Sequence, residues 1–102
     1  MKAINQLLDF LDSIILDDTI ATSQLCIYIS LWRIWQHNHF QNPISIQREE
    51  VMLLSKINSK ATYHKAMKIL HNAGYINYKP TFNPFQNSQV FIIPLKKQKN
   101  HL

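Results

Sequence analysis

A single glycine, Gly74, serves a chain of 102 residues. Backbone positions with positive φ are cheap only for glycine, so nearly every turn here must be built from residues that carry a side chain. Glycine-rich phosphate loops need several glycines in a short window and are excluded. The one glycine follows a segment of helical periodicity, where a left-handed C-cap is wanted, and precedes an aromatic-aliphatic run that reads as a strand. The helix–glycine–strand junction at Gly74 is therefore the most constrained point of the chain.

The neighbouring segments follow from that junction. Ser59 caps a helix running to about Ala73, with Tyr63, Ala66, Met67, Leu70 and Ala73 on its apolar face. Gln47–Ser55 reads as a short helix with Val51, Leu53 and Leu54 apolar, and Glu49 and Glu50 sit in its first turn, where acids suit the dipole. Lys56-Ile57-Asn58 is the turn between the two. Tyr75–Lys79 and Gln89–Leu95 are strand candidates joined by the Pro80–Ser88 loop and able to pair as a hairpin. Tyr75, Asn77 and Lys79 fall on one face of the first strand, Ile76 and Tyr78 on the other. Ile44-Ser45-Ile46 is long enough only for a short third strand.

Toward the N-terminus, Lys2–Leu16 reads as an amphipathic helix, with Ile4, Leu7, Leu8, Leu11, Ile14 and Ile15 at three- and four-residue steps. Thr22 or Ser23 is the expected N-cap of a helix reaching about Asn38. Apolar groups lie nearly all round it, which predicts a central position. His37–Pro43 reads as loop.

Apolar residues make up 46% of the chain and charged residues 17%, which suits one globular domain. Lone Cys26 excludes an internal disulfide and a cysteine-rich zinc site, and in an apolar helix it reads as a small buried hydrophobe. The apolar stretches are too interrupted to span a membrane. Asp9 and Asp12 inside the N-terminal pattern do not suit a secretory signal, so the expected compartment is the cytoplasm. The net charge of +5 is unevenly spread: −2 as far as Pro43, where Lys2 and Arg33 face Asp9, Asp12, Asp17 and Asp18, and +7 beyond it, where only Glu49 and Glu50 oppose the cations. A basic C-terminal part points to a polyanionic partner, although the lysine-rich tail at Lys96–Lys99 supplies three of those charges.

Two short helices meeting across a tight turn form a helix-turn-helix, and a hairpin directly after them forms a wing. The stretch Ser59–Ile76 resembles the winged helix-turn-helix families of bacterial regulators and replication initiators, including the N-terminal domain of DnaD-type primosomal proteins, and the resemblance covers about residues 23–95. Gly74–Phe85 also looks like small winged-helix proteins of mobile elements. One departure is the turn from Ser55 to Ser59, which lacks the glycine common there and is a residue longer. The resemblance implies a mainly α fold with a small β-hairpin: a winged helix-turn-helix over 21–95, an extra N-terminal helix within 1–20, and a basic tail at 96–102. It implies sequence-specific binding of double-stranded DNA by a transcriptional regulator or a replication or mobile-element accessory protein.

The residues suit that role. A recognition helix carries small, polar and cationic groups on its early turns. Here Lys60, Ala61, His64, Lys65 and Lys68 lie opposite Tyr63, Met67 and Leu70, while Ser59 and Thr62 sit at the end whose free N–H groups suit a phosphate. In the wing, Lys79, Asn83 and Asn87 are candidates for backbone or minor-groove contact. The plain alternative is a solvated lysine face. Phe82 and Phe85 either fold back on the strands or meet a partner. Trp32, Trp35, Tyr28 and Phe40 fit core or dimer contact better than base stacking. His37 and His39 lack further metal ligands, and the pairs Asp9/Asp12 and Asp17/Asp18 read as surface acids on a helix, so no metal, cofactor or catalytic constellation is expected.

The apolar surplus of the N-terminal helix predicts a homodimer. A rival reading is a winged-helix module that binds a protein in a replication or mobile-element complex. The scarcity of arginine, only Arg33 and Arg48, favours that rival, because arginine is the commonest specific base reader. No membrane partner and no small-molecule effector are inferred.

Overall fold

The computed structural model describes residues 2–81, 83 and 86–94. Among them the chain forms helices α1 (Lys2–Ile15) and α2 (Thr22–His37), strand β1 (Ile44–Ile46), helices α3 (Arg48–Ser55) and α4 (Lys60–Asn72), and strands β2 (Ile76–Lys79) and β3 (Ser88–Ile92). The fold is mainly helical, with a small antiparallel sheet in the order β1-β3-β2. Ile76 faces Ile92 and Tyr78 faces Val90 in the hairpin, and Ile44 faces Val90 across the other edge of β3. Strands this short hold only because their inward residues, Ile44, Ile46, Ile76, Val90 and Ile92, are all buried under the helices.

Helix α2 is central, lying against α3, α4 and β3. Ile27, Tyr28 and Leu31 form its buried face. They meet Val51 of α3 and Tyr63, Ala66, Met67 and Leu70 of α4 in one core. Trp32 and Trp35 flank Phe40 at ring-centroid distances of 6.0 and 5.1 Å, so the tryptophans serve packing at the end of α2.

Helix α1 docks through Phe10. Its ring is fully buried, stacks on Tyr28 at 3.7 Å between centroids, and meets Tyr75 edge-on at 5.1 Å. Burying such a side chain contributes roughly 2–3 kcal/mol. Buried Gln6 adds two donations, to the Tyr28 hydroxyl at 3.0 Å and to the Ile93 carbonyl at 2.8 Å. Leu7, Leu11 and Ile14 pack on the same core, whereas Leu8 and Ile15 stay 50% and 57% exposed. The chain itself thus covers much of the apolar surface that the periodicity left over.

The helix ends answer the shortage of glycine. Gly74 has φ +87°, Tyr75 N–H donates to Leu70 O at 3.1 Å and Gly74 N–H to His71 O at 3.1 Å, a Schellman motif. The same pairing ends α3, where Lys56 takes φ +63° while Ile57 N–H reaches Met52 O at 3.0 Å. It also ends α2, where His39 takes φ +55° while Phe40 N–H reaches Trp35 O at 2.8 Å. Lysine and histidine thus fill left-handed positions that glycine usually holds.

Several local expectations are corrected. The N-cap of α2 is Ala21, not Thr22 or Ser23. Alanine offers no acceptor, so only the return bond forms, with Gln24 Oε1 accepting Ala21 N–H at 2.6 Å. Helix α1 stops at Ile15 and α2 at His37. Cys26 is half-buried because it lies off the inner face of α2. Ala73 is exposed because it is the C-cap of α4. Tyr75 precedes β2 and is buried against Phe10, so the strand alternation does not reach it. Asp17 is not a free helix acid: it lies in the turn after α1 and accepts the Tyr75 hydroxyl at 2.7 Å. The last strand runs Ser88–Ile92, not Gln89–Leu95, with Ile93 and Pro94 past its end. Phe82, Phe85, Leu95 and the tail 96–102 lie outside the described residues.

Candidate nucleic-acid interface

Helix α4 starts where Ser59 Oγ accepts Thr62 N–H at 3.2 Å, which satisfies one of the free donors of its first turn. Its apolar side buries Tyr63, Ala66, Met67 and Leu70. The opposite side leaves Lys60, Ala61, His64, Lys65 and Lys68 exposed, with Thr62 half-buried at the edge. Among the described residues the one ion pair joins Arg48 and Glu49 at 3.4 Å, so no carboxylate is engaged with the lysines of this face.

Between α4, the start of α3 and the hairpin lies an open groove of about 920 Å³. Its α4 wall is His64, Lys68 and His71, its α3 wall is Gln47, Arg48 and Glu49, and on its far side lie Tyr78, Thr81, Asn83, Gln86, Asn87 and Ser88. The structure brings His64, Lys68, Asn83 and Asn87 together around this groove. Ser59, Lys60, Ala61, Thr62 and Lys65 lie on α4 or its cap but outside the groove. Lys79 is exposed on β2, with Nζ 5.5 Å from the centre of the Phe91 ring, and does not line it. The described part of the loop is tied internally: Thr81 N–H donates to Ser88 Oγ and Asn83 N–H to Thr81 Oγ1, both at 3.2 Å.

Three groove residues escaped the sequence reading. Arg48 is half-buried, with Nε enclosed and making no hydrogen bond; its contact with Glu49 is electrostatic only. His71 lies one turn beyond Lys68, and His64, Lys68 and His71 form a stripe at steps of four and three, the signal that extends the face. Tyr78 donates its backbone N–H to His71 Nδ1 at 3.0 Å. Its hydroxyl also pairs with that of Tyr63. Burial first, and then the charge and hydrogen bond of Tyr78, push the Tyr63 hydroxyl well above its ordinary pKa.

No group of three or more His, Cys, Asp or Glu among the described residues is placed to hold a metal ion. No described helix is long and apolar enough to cross a membrane. No protein-family model, no curated protein and no solved structure matches the chain.

Proposed function

We propose that the chain binds double-stranded DNA as a winged helix-turn-helix protein. In this reading α4 enters the major groove, the β2–β3 hairpin is the wing alongside, and α1 pairs two copies. The regulatory or accessory role suggested by the sequence goes with it. The observation that carries the reading is the exposed face Lys60–His64–Lys65–Lys68, ion-paired with no carboxylate of the described residues and continuous with an open groove that His64 and Lys68 line. Helical spacing of about 100° per residue puts Lys60, Lys68 and Lys65 within roughly 140° of one another, a width that phosphates on both sides of a groove can meet.

The test is duplex binding by fluorescence anisotropy across a salt series. The parent should bind, and Lys60/Lys65/Lys68→Ala should weaken binding on every sequence and lower the salt slope by about three units. A folded triple variant that binds as the parent does, with the same slope, would sink the reading. The remaining reading is then a protein-docking module, favoured by Leu53 and Leu54, which stand 73% and 46% exposed on α3.

A further inference from the structure

The outer edge of β2 is closed by a side chain. Strand β2 is an edge strand, and the N–H of Tyr78 that points away from β3 meets His71 Nδ1 at 3.0 Å. An Nδ1 that accepts a hydrogen bond carries no proton, so the neutral ring holds its proton on Nε2. The backbone of one element thereby sets the tautomer of a side chain on another. Nε2–H is the ring's remaining donor, on an exposed residue that lines the groove.

We propose that His71 is a phosphate-contacting residue of the duplex site, donating Nε2–H to one backbone oxygen while Tyr78 N–H holds Nδ1. This rests on the duplex reading above. Three observations select a phosphate over a base edge. His71 lies seven residues beyond His64, about 10 Å further along the helix axis, away from the end that would reach base edges. It stands beside the hairpin, bonded to Tyr78 N–H, on the wing side of α4. Lys68, one turn earlier on the same stripe, supplies the cation that favours a phosphate there.

A neutral donor differs from a cation in one measurable way: it releases no counterion, so its loss lowers affinity without changing the salt slope. His71→Asn keeps an acceptor for Tyr78 N–H but no donor that reaches the groove; His71→Gln restores a donor near the Nε2 position. The first should bind every duplex about tenfold more weakly, with parental thermal stability and an unchanged slope. The second should bind within about threefold of the parent. Lys68→Ala should instead lower the slope by about one unit. Long-range proton–nitrogen NMR of the free protein should show His71 Nδ1 unprotonated and Nε2 protonated. A protonated Nδ1, a slope that drops in His71→Asn, or parental affinity in that variant each overturns the proposal. If the parent binds no duplex at all, the duplex reading falls and takes the phosphate contact with it. If the parent binds and His71→Asn matches it, the phosphate contact alone falls.

Discussion

The side-chain amide of Asn42 stands where a peptide group of a longer β1 would be, beside Ile92. Its Nδ2 donates to Ile92 O at 2.9 Å and its Oδ1 accepts Ile92 N–H at 3.0 Å. Strand β3 is the middle strand, and β1 pairs with it only as far as Ile44 opposite Val90. Pro43 comes next and has no N–H to give. Without Asn42 the β1-facing groups of Ile92 would lack a protein partner. Two net hydrogen bonds contribute about 1–3 kcal/mol, so Asn42→Ala should lower the melting temperature by about 4–8 °C per kcal/mol lost. Asn42→Asp should cost more, since it sets a carboxylate against the Ile92 carbonyl. Parental unfolding midpoints for both variants would show the pairing to be energetically idle.

Left-handed caps on Lys56 and His39 carry strain that Gly74 does not. The αL conformation costs a residue with a side chain about 1–2 kcal/mol, partly offset by the extra chain entropy that glycine loses on folding. Lys56→Gly should therefore stabilise the protein by about 0.5–1 kcal/mol. Gly74→Ala should destabilise it by a similar amount or more. An added Cβ at Gly74 meets nothing within 4 Å, so that loss is purely conformational. Denaturant midpoints for the pair check both signs, and a Lys56→Gly protein less stable than the parent contradicts the account.

Element order was legible because periodicity and caps agree along most of the chain. Ser59 caps α4 and Gly74 ends it as their residue types require, and Ile44–Ile46 joins the hairpin. What escaped is what depends on distant partners. Nothing local to Asn42 announces Ile92, fifty residues away. The Lys56 turn looked irregular because its αL residue is not glycine, although its hydrogen bonds are those of an ordinary Schellman end. Of the candidate site, the α4 face was readable from a period of 3.6, but Arg48 and Tyr78 reach the groove through the sheet and the start of α3, which no single periodic window contains.

Titration should bracket the stable range. The Thr19 hydroxyl chiefly, with the Tyr75 hydroxyl and Thr19 N–H assisting against the effect of burial, holds the Asp17 carboxyl below its ordinary pKa. A depressed folded pKa gives stability present above about pH 4 and lost as pH falls through the folded value. The stability difference between parent and Asp17→Asn should therefore shrink below about pH 4. At the alkaline end, burial pushes the Tyr28 hydroxyl up to about 12 and raises those of Tyr63 and Tyr75. Raised values give stability fully present below about pH 10 and lost as pH climbs through the folded values. In a Tyr78→Phe protein, where these are the three remaining tyrosines, tyrosinate absorbance should appear only together with unfolding. Its appearance near pH 10 in a still-folded protein would contradict their burial.

Base reading and phosphate binding should separate along α4. Thr62 and His64 stand on the early turns, beside lysines that act as point charges. Thr62→Val and His64→Ala should change which duplex is preferred by about 1–3 kcal/mol per altered base contact. The salt slope should stay near the parent value in both. Selection from a random-sequence pool, followed by anisotropy on the winners, reads this directly. The same winners for all three proteins would remove these residues from base contact.

Pairing through α1 makes the last prediction. Ile4, Leu8, Leu11 and Ile15 follow one another at steps of four, three and four, the spacing of a two-helix seam, and Ile4, Leu8 and Ile15 are 41%, 50% and 57% exposed. Phe10 and Gln6 face the other way, into the chain's own core, and of the stripe only Leu11 packs against that core, so Ile4, Leu8 and Ile15 are open to a second copy without undocking the helix. Leu8→Glu/Ile15→Glu should yield a folded monomer in light scattering at high micromolar concentration, where the parent should scatter as a dimer. Its melting temperature should not fall below that of the parent diluted to monomer, because neither side chain is buried within the protomer. Duplex binding by the monomer should keep the per-site salt slope and lose the gain from linking two half-sites. A parent that scatters as a monomer at that concentration overturns the pairing and leaves α1 a brace for the hairpin, held by Gln6 on Ile93 and Asp17 on Tyr75.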